Sequence, residues 1–407
     1  MGAINFKIEQ KFPRGRLGRA GILTTPHGEI QTPAFVTVGT KGTVKSLTPE
    51  QVKDLGAQVV LANTYHLYLQ PGEETMKKAG GLNTFMNWSG PTMTDSGGFQ
   101  AFSLGAAFGK KINKLAEVTQ GARPNKDIDE RDELGAFAKI TEDGVEFKSV
   151  LDGSTHFFTP ERSMEIQHAI GADMIFAFDE CTSPIAPYEY QKEAMARTHR
   201  WATRSLRRHR ELQVESEKLK VENQALFGIV QGGRFEDLRK ESAKIIGEMD
   251  FDGFGIGGSF EKKDMNTAVG WVNALLPENK PRHLLGIGDP LDLFDAVEEG
   301  CDLFDCVAPT RIARHGTLYT PNGLLHITGG SYRNDFSPVV EGCGCYTCKN
   351  FTKAYLGYLF RAREFLAYTL ASIHNLYFII HLVDTIRQSI LDNTFEKNRD
   401  DFFLKYK

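Results

Sequence analysis

Short apolar runs alternate with amphipathic helical stretches along most of this 407-residue chain, and that alternation restricts the fold more than any other feature. Apolar runs at 34–38, 58–62, 92–94, 174–178, 226–230, 253–256, 283–285 and 303–306 read as strands. Helical periodicity follows most of them, at 49–55, 160–170, 191–212, 235–248, 265–275 and 291–299. Repeated strand-then-helix units build a parallel sheet with helices outside it. Eight units fit a closed (β/α)8 TIM barrel, an α/β fold, better than an open sheet. Barrels carry their active sites just after the strands. The sequence meets that demand: TDSGGFQ follows the third strand, FDEC ends the fourth, QGG follows the fifth, GGS follows the sixth, and FDC ends the eighth.

Two segments break the alternation. Residues 105–144 are mixed in charge, contain Gly and Pro, and lack periodicity, which predicts a long loop or flap. Residues 310–350, with Cys343, Cys345 and Cys348 crowded near their end, read as a separate small metal-binding unit, and a long helix is expected from Thr352 to about His374. The expected organisation is a barrel over 1–309 with an N-terminal β segment and the 105–144 insertion, a C-terminal zinc-binding subdomain with a long helix over 310–380, and a helical tail over 381–407. Hydrophobic residues at 41% and charged residues at 25% allow a large core. No apolar run approaches the ~18 residues of a membrane span. The first residues lack a signal-type apolar stretch, and Phe6 stands where a myristoylation motif needs Ser or Thr. The expectation is a cytoplasmic protein with no membrane partner. A net charge of −4 argues against a broadly basic nucleic-acid surface, although a local basic patch is enough to grip phosphates.

Three of the six cysteines crowd into a C-x-C-x-x-C run, Cys343, Cys345 and Cys348, and His374 follows. In a cytosolic chain such clustering favours a metal over disulfides. Three thiolates and one imidazole make a tetrahedral zinc set with no position left for water, so the ion is expected to be structural. His381, seven residues beyond His374, is taken as a bystander.

The acids at strand ends are the candidates for chemistry. Asp95 lies in TDSGGFQ, where two glycines let the backbone approach a planar ligand, and an aspartate there can transfer protons. The same residues also make a good turn. Asp305 ends an apolar strand and precedes Pro309; a carboxylate so placed can attack an anomeric carbon. Asp302 is three residues away and so faces the other side of the strand. Asp179 in FDEC and Gln231 in QGG offer hydrogen bonds to the edge of a purine-like base, and Gly258 offers a backbone N–H. Any one of these acids alone could instead be a structural ion-pair partner, the less favoured reading.

Taken together, TDSGGFQ, FDEC, Phe227-Gly228-Ile229 before Gln231, FDCVAPTR and the Cys3His set resemble the bacterial-type tRNA-guanine transglycosylase (queuine tRNA-ribosyltransferase) family. The resemblance runs from TPAFVTVGTKGTVK near Thr32, through NTYHLYLQPG near Asn63, to IHNL at Ile373, in order and over nearly the whole chain. It implies a zinc-containing barrel, usually a homodimer, that exchanges the wobble guanine of tRNA for a 7-deazaguanine base. It implies that Asp305 is the nucleophile and Asp95 the general acid/base. Asp179, Gln231 and Gly258 would read the base, Ser96, Gly97, Gly98 and Phe99 would shape the pocket, and Cys181 would line it. Thr310, Arg311, Ile312, Ala313 and Arg314 would contact the wobble nucleotide. Gly286, Ile287, Gly288, Asp289, Pro290, Leu291 and Asp292 would form a second RNA-contacting loop. Arg311 and Arg314, with His315, supply a local phosphate grip that Lys349, Lys353, Arg361 and Arg363 extend. Arg197, Arg200, Arg204, Arg207 and Arg208 form a second basic stripe, taken as a solvated helix face.

The chain departs from the family after the sixth strand, where Lys263 falls in place of a glutamate that receives the aminomethyl group of the incoming base. A lysine cannot accept a hydrogen bond from an ammonium group. The aminomethyl base is thereby in question, and the cyano base and free queuine stand beside it. Competing readings are an RNA-binding subunit without catalysis, base exchange on DNA, and a retaining glycosidase. Retention of both Asp95 and Asp305 weighs against the first, and the zinc unit with Thr310–Arg314 against the second.

Overall fold

The structure is a computed structural model; it describes residues 3–13, 15–100, 138–219, 223–257, 260 and 264–406. Eight parallel strands close into a barrel. In chain order they are β1 (Ala34–Val38), β2 (Val60–Ala62), β3 (Thr92–Thr94), β4 (Met174–Phe176), β5 (Ala225–Val230), β6 (Gly253–Ile256), β7 (Arg282–Leu284) and β8 (Leu303–Asp305). Closure joins the last strand to the first, with Leu303 beside Ala34, Phe304 beside Phe35 and Asp305 beside Val36. Every residue of β4, β5 and β6 is buried. Strands covered on both faces are uniformly apolar rather than alternating, which is why these segments stand out in the sequence. The helices between them begin with orthodox signals. Thr48 caps Pro49–Asp54 in a capping box with Gln51, and Thr159 caps Pro160–Ile170, which stops at Gly171 with φ 73°.

By its contacts the chain groups into two compact units, one of residues 1–5, 63–85 and 92–283, the other of residues 6–62, 86–91 and 284–407. In the first, Ala138–Ile140, Val145–Lys148 and Thr155–Phe158 form an antiparallel sheet. This corrects the expectation of a loop throughout 105–144, since its last residues are a strand and a turn. The remainder of that segment, 105–137, lies outside the described residues. The turn is clasped by the long helix Tyr188–Leu219: Trp201 Nε1 donates to the Glu142 carbonyl at 2.7 Å, and Arg200 binds the Glu142 carboxylate through two nitrogens. Arg204 and Arg207 pair with Glu161, Arg208 pairs with Glu165, and Arg197 pairs with Glu180. Arg197, Arg204 and Arg208 are thus part of an ion-paired seam, while Arg200 and Arg207 stay exposed, as on a solvated face.

In the second unit, strands Asn5–Lys11, Arg19–Thr25 and Gly28–Thr32 form an antiparallel meander. Arg19 projects from it and grips Asp302, Nε to Oδ1 at 2.9 Å and Nη2 to Oδ2 at 2.6 Å, with the two side chains 1% and 0% exposed. The helix expected over 352–374 is two helices. Lys353–Ala362 ends at Arg363, a non-glycine in the left-handed region with φ 59°, and Phe365–Leu391 follows. By length and composition this second helix could cross a bilayer, contrary to the sequence reading, but 67% of its most apolar window is buried inside the fold. It is the core helix of its unit.

Two predictions follow from buried charge. Arg19→Met strands Asp302 in the interior and should lower the unfolding free energy in urea by about 3 kcal/mol or more; an unchanged midpoint would sink this account. The second concerns His168 and His209, whose rings meet at 2.9 Å between two helices, with burial depressing them to about 3 and about 4. Both stay neutral in the fold but take up protons when unfolded below about pH 6.5. Their contribution is thus full above pH 6.5 and lost as pH falls from there toward 4, with a limiting slope of about 1.4 kcal/mol per pH unit for each ring. A His168→Gln/His209→Gln variant should show a shallower acid limb between pH 6.5 and 4.5 in urea titrations at fixed pH.

Candidate active site and metal centre

Asp95 follows β3 directly, and its carboxylate is held by backbone and amide donors. Thr64 N donates to Oδ1 at 3.0 Å and Gly97 N at 3.1 Å, while Asn63 Nδ2 donates to Oδ2. Asn63 caps helix Thr64–Leu69, with its Oδ1 accepting from His66 N at 3.0 Å. The cap fixes the amide, so its Nδ2 can only turn toward Asp95. Gly97 has φ 77°, and a Cβ there would stand 3.3 Å from Tyr65 N. Only glycine lets this turn deliver its N–H to the carboxylate.

Asp179, just beyond β4, is buried, and both its oxygens are engaged. Ser96 Oγ donates to Oδ1 at 2.9 Å and Gln231 Nε2 to Oδ2 at 2.7 Å. Gln231 N donates to Ser242 Oγ at 3.2 Å, which anchors the residue at both ends. Its buried Oε1 has no hydrogen-bond partner among the described residues. A buried acceptor without a donor is costly, of order 1–3 kcal/mol, unless a ligand supplies one. Gly98 allows close packing here, since a Cβ on it would meet the Asp179 carbonyl at 2.7 Å. Cys181 is buried nearby in sequence, and Phe99 is half-buried. Gly258 and Lys263 lie outside the described residues. The structure thus joins Asp95, Ser96, Gly97, Asp179 and Gln231 into hydrogen-bonded sets, and adds Asn63, Thr64 and Ser242, which the sequence reading gave no role. An Asn immediately before a helix was the available signal for the first.

Asp305 closes β8, and its Oδ1 accepts from Gly286 N at 2.8 Å. Asp302, three residues earlier, is fully committed to Arg19, so the two acids of this strand have separate duties. Burial pushes the neighbouring Cys306 thiol up to about 11, which keeps it protonated and unreactive at neutral pH. Within 286–292, Ile287, Gly288, Pro290 and Asp292 are buried, whereas Gly286, Asp289 and Leu291 are partly exposed. Asp289 caps the helix Pro290–Glu298. Thr310 to Ala313 belong to the helix Ala308–Ala313, and Arg314 is its C-cap; Thr310 and Ala313 are buried, and Arg311 is exposed. Arg314 lies below the usual arginine range through burial and Arg311, and Lys45 is lowered by burial and by Arg314, Lys41 and Arg311. Lys45 and Arg314 thus lie in a positive patch of the kind that suits an anion. Lys41 and Lys45 stand beside Arg311 and Arg314 in this patch. Lys353, by contrast, is tied to Asp335 at 3.1 Å.

Cys343, Cys345, Cys348 and His374 bring their ligand atoms within 4.8 Å of one another. Cys345 Sγ and Cys348 Sγ lie 3.5 and 3.3 Å from His374 Nδ1. The His374 Nε2 donates to the Tyr319 carbonyl at 2.7 Å, which leaves Nδ1 free to ligate. Cys345 also caps the short helix Tyr346–Asn350, its sulfur accepting from Cys348 N at 3.2 Å. Three thiols and an oriented imidazole fit a metal ion of thiolate preference, and the four-member set is closed.

A closed parallel barrel with acids at its strand ends and a Cys3His metal unit defines a class of barrel enzyme. Comparison with known proteins gives the family. The family model described as queuine tRNA-ribosyltransferase matches residues 14–407. A queuine tRNA-ribosyltransferase from Thermoanaerobacter pseudethanolicus is 47% identical over 409 residues, covering 100% of this chain and 98% of that protein. Those from Caldanaerobacter subterraneus and Roseiflexus sp. are each 46% identical, covering 100% and 98% of this chain and 98% of each relative. The chain belongs to the queuine tRNA-ribosyltransferase family and is an enzyme, a pentosyltransferase.

Removing the metal should cost the fold directly, because the ion's binding energy is folding energy. Cys345→Ala, or chelation that strips the ion as judged by elemental analysis, should lower stability by about 3 kcal/mol or more in thermal or urea unfolding. Metal-free protein with an unchanged melting temperature would refute a structural ion.

Proposed function

We propose that this enzyme exchanges guanine at the wobble position (34) of tRNAs with GUN anticodons for a 7-deazaguanine base, through a covalent aspartyl–ribose intermediate. The observation that carries this reading is the buried pair Asp179 and Gln231. Asp179 presents a carboxylate and Gln231 a carbonyl oxygen with no hydrogen-bond partner among the described residues, both acceptors, and the edge of guanine or 7-deazaguanine carries N–H donors at its ring nitrogen and exocyclic amine.

In this mechanism Asp305 attacks C1′ of the ribose as the bond from C1′ to the base nitrogen breaks, and Asp95 hands a proton to the departing guanine. The ribose–phosphate chain stays intact as an aspartyl ester. The incoming base then gives its ring N–H proton to Asp95 and attacks C1′, and Asp305 leaves. Two displacements retain configuration and give ping-pong kinetics. Gly286 N, bonded to Asp305, orients the nucleophile. The amide cradle around Asp95 fixes its orientation for the proton transfers. Arg311, Arg314, Lys41 and Lys45 would hold phosphates of the anticodon arm. The metal is assigned as one structural zinc, and no step passes through it. The incoming base is the aminomethyl or cyano 7-deazaguanine or queuine, the base in its relatives' name. A homodimer is supported by the exposed aromatics of the metal unit, Tyr346, Tyr358 and Phe365, at 56%, 56% and 83%. The enzyme would work in the cytoplasm, where its tRNA substrate is.

The test uses unmodified tRNA labelled in its wobble guanine, with each base added in turn. Wild type should release label; Asp305→Ala and Asp95→Asn should each lose roughly 10³-fold or more. Absence of release with every base would replace this reading with that of an RNA-binding subunit. Elemental analysis should find one zinc per chain.

A further inference from the structure

Arg239 is the only charged residue buried on the helix Glu236–Glu248. No carboxylate pairs with it among the described residues; its partners are backbone carbonyls. Nε donates to Gly233 O at 2.7 Å, and Nη1 donates to Gly257 O at 2.6 Å and reaches Val230 O at 3.4 Å. Nη2 has no partner among the described residues, and the guanidinium lies 5.0 Å over the Phe260 ring. One turn along the same helix, Ser242 accepts from Gln231 N. The helix therefore holds both ends of the turn 231–233, and the same guanidinium spans to the end of β6. A Cβ on Gly257 would stand 2.8 Å from Gln231 Nε2, so the Gln231 amide sits in a slot whose far wall is the backbone that Arg239 holds.

We propose that Arg239 is a positioning residue for base recognition: it ties the turn 231–233 after β5 to Gly257 at the end of β6, at the spacing that keeps the Gln231 amide on Asp179 and leaves Gln231 Oε1 for the base. This rests on the base-exchange reading above. Burial lowers Arg239 to about 9, so it remains a cation at neutral pH. An unpaired buried cation is costly, and an apolar side chain of similar volume would fill the space more cheaply. What the apolar residue lacks is a rigid fork of donors that can satisfy carbonyls on two loops at once. Lysine keeps the charge but concentrates its donors on one nitrogen.

The test compares Arg239→Lys and Arg239→Met with wild type. It measures thermal unfolding, KM for base and for tRNA separately, and guanine binding to the free enzyme by calorimetry. Arg239→Lys should fold with a near-native melting temperature. Its KM for base and its guanine Kd should rise about tenfold or more, and its KM for tRNA should change by less than about twofold. Arg239→Met, with no donors, should lose more guanine affinity than Arg239→Lys. A folded Arg239→Lys with wild-type base KM would overturn the proposal. So would failure of that variant to fold, or a parallel rise of both KM values, since each marks a purely structural role. Wild type that neither binds guanine nor releases it from tRNA would instead overturn the base-exchange reading itself.

Discussion

The rest of the chain depends on closure of the sheet where β8 meets β1. An open parallel sheet leaves its edge strands with unpaired N–H and C=O groups. Here Leu303 to Asp305 pair with Ala34 to Val36, and the edge disappears. The junction is reinforced from outside the barrel by Arg19, whose two nitrogens saturate Asp302, the residue just before β8. Asp302 O in turn accepts from Ala34 N at 2.9 Å. One residue thus bonds to both the N-terminal meander and the first barrel strand, and register follows. A slip of one residue would turn Asp305 into the packed side of the strand and Phe304 out of it.

Register in turn separates two aspartates of identical chemistry. Asp302 is fully desolvated and bidentate with a guanidinium, an arrangement that holds structure together. Asp305 is partly exposed, and a backbone amide, Gly286 N, donates to its Oδ1 and orients the carboxylate. Asp95 and Asp179 differ in the same way. Asp95 is half-buried in a cradle of N–H donors, whereas Asp179 is buried and shares its oxygens with Ser96 and Gln231. What each carboxylate can do is set by its burial and by the kind of donor that holds it.

Much of this was legible in the sequence, for identifiable reasons. β4, β5 and β6 are apolar on both faces, so their positions follow from hydrophobicity, whereas the three-residue β3 and β7, Thr-Met-Thr and Arg-His-Leu, were located through the alternation of strand and helix around them. The acids at strand ends followed from the barrel's own rule about where sites lie. The sheet around Glu142 was less legible: Val145–Lys148 alternates buried and exposed over only four residues, too short to distinguish from loop. The break at Arg363 carries no Gly or Pro; an arginine adopts the left-handed cap conformation that glycine usually fills. Arg239 was invisible for a different reason. A charged residue in an amphipathic helix is assigned to solvent by pattern, and only the tertiary structure shows that two loop carbonyls draw it inward.

The Cys3His cluster shows how a metal site can bear on a segment it does not touch. His374 is oriented by the Tyr319 carbonyl, and the next residue, Asn375, is fully used. Its Oδ1 accepts from Tyr319 N, and its Nδ2 donates to the carbonyls of Pro309 and Thr317, all at 3.0 Å. Pro309 stands between Asp305 and the Thr310–Arg314 segment. A metal held by the cysteines and His374 would fix the helix Phe365–Leu391, the helix carries Asn375, and Asn375 holds the chain that leaves β8. Loss of the ion would therefore loosen the backbone between Asp305 and Arg311 before it disturbed the strands of the barrel, because those strands are held by their own ladder and the segment after β8 is held by Asn375.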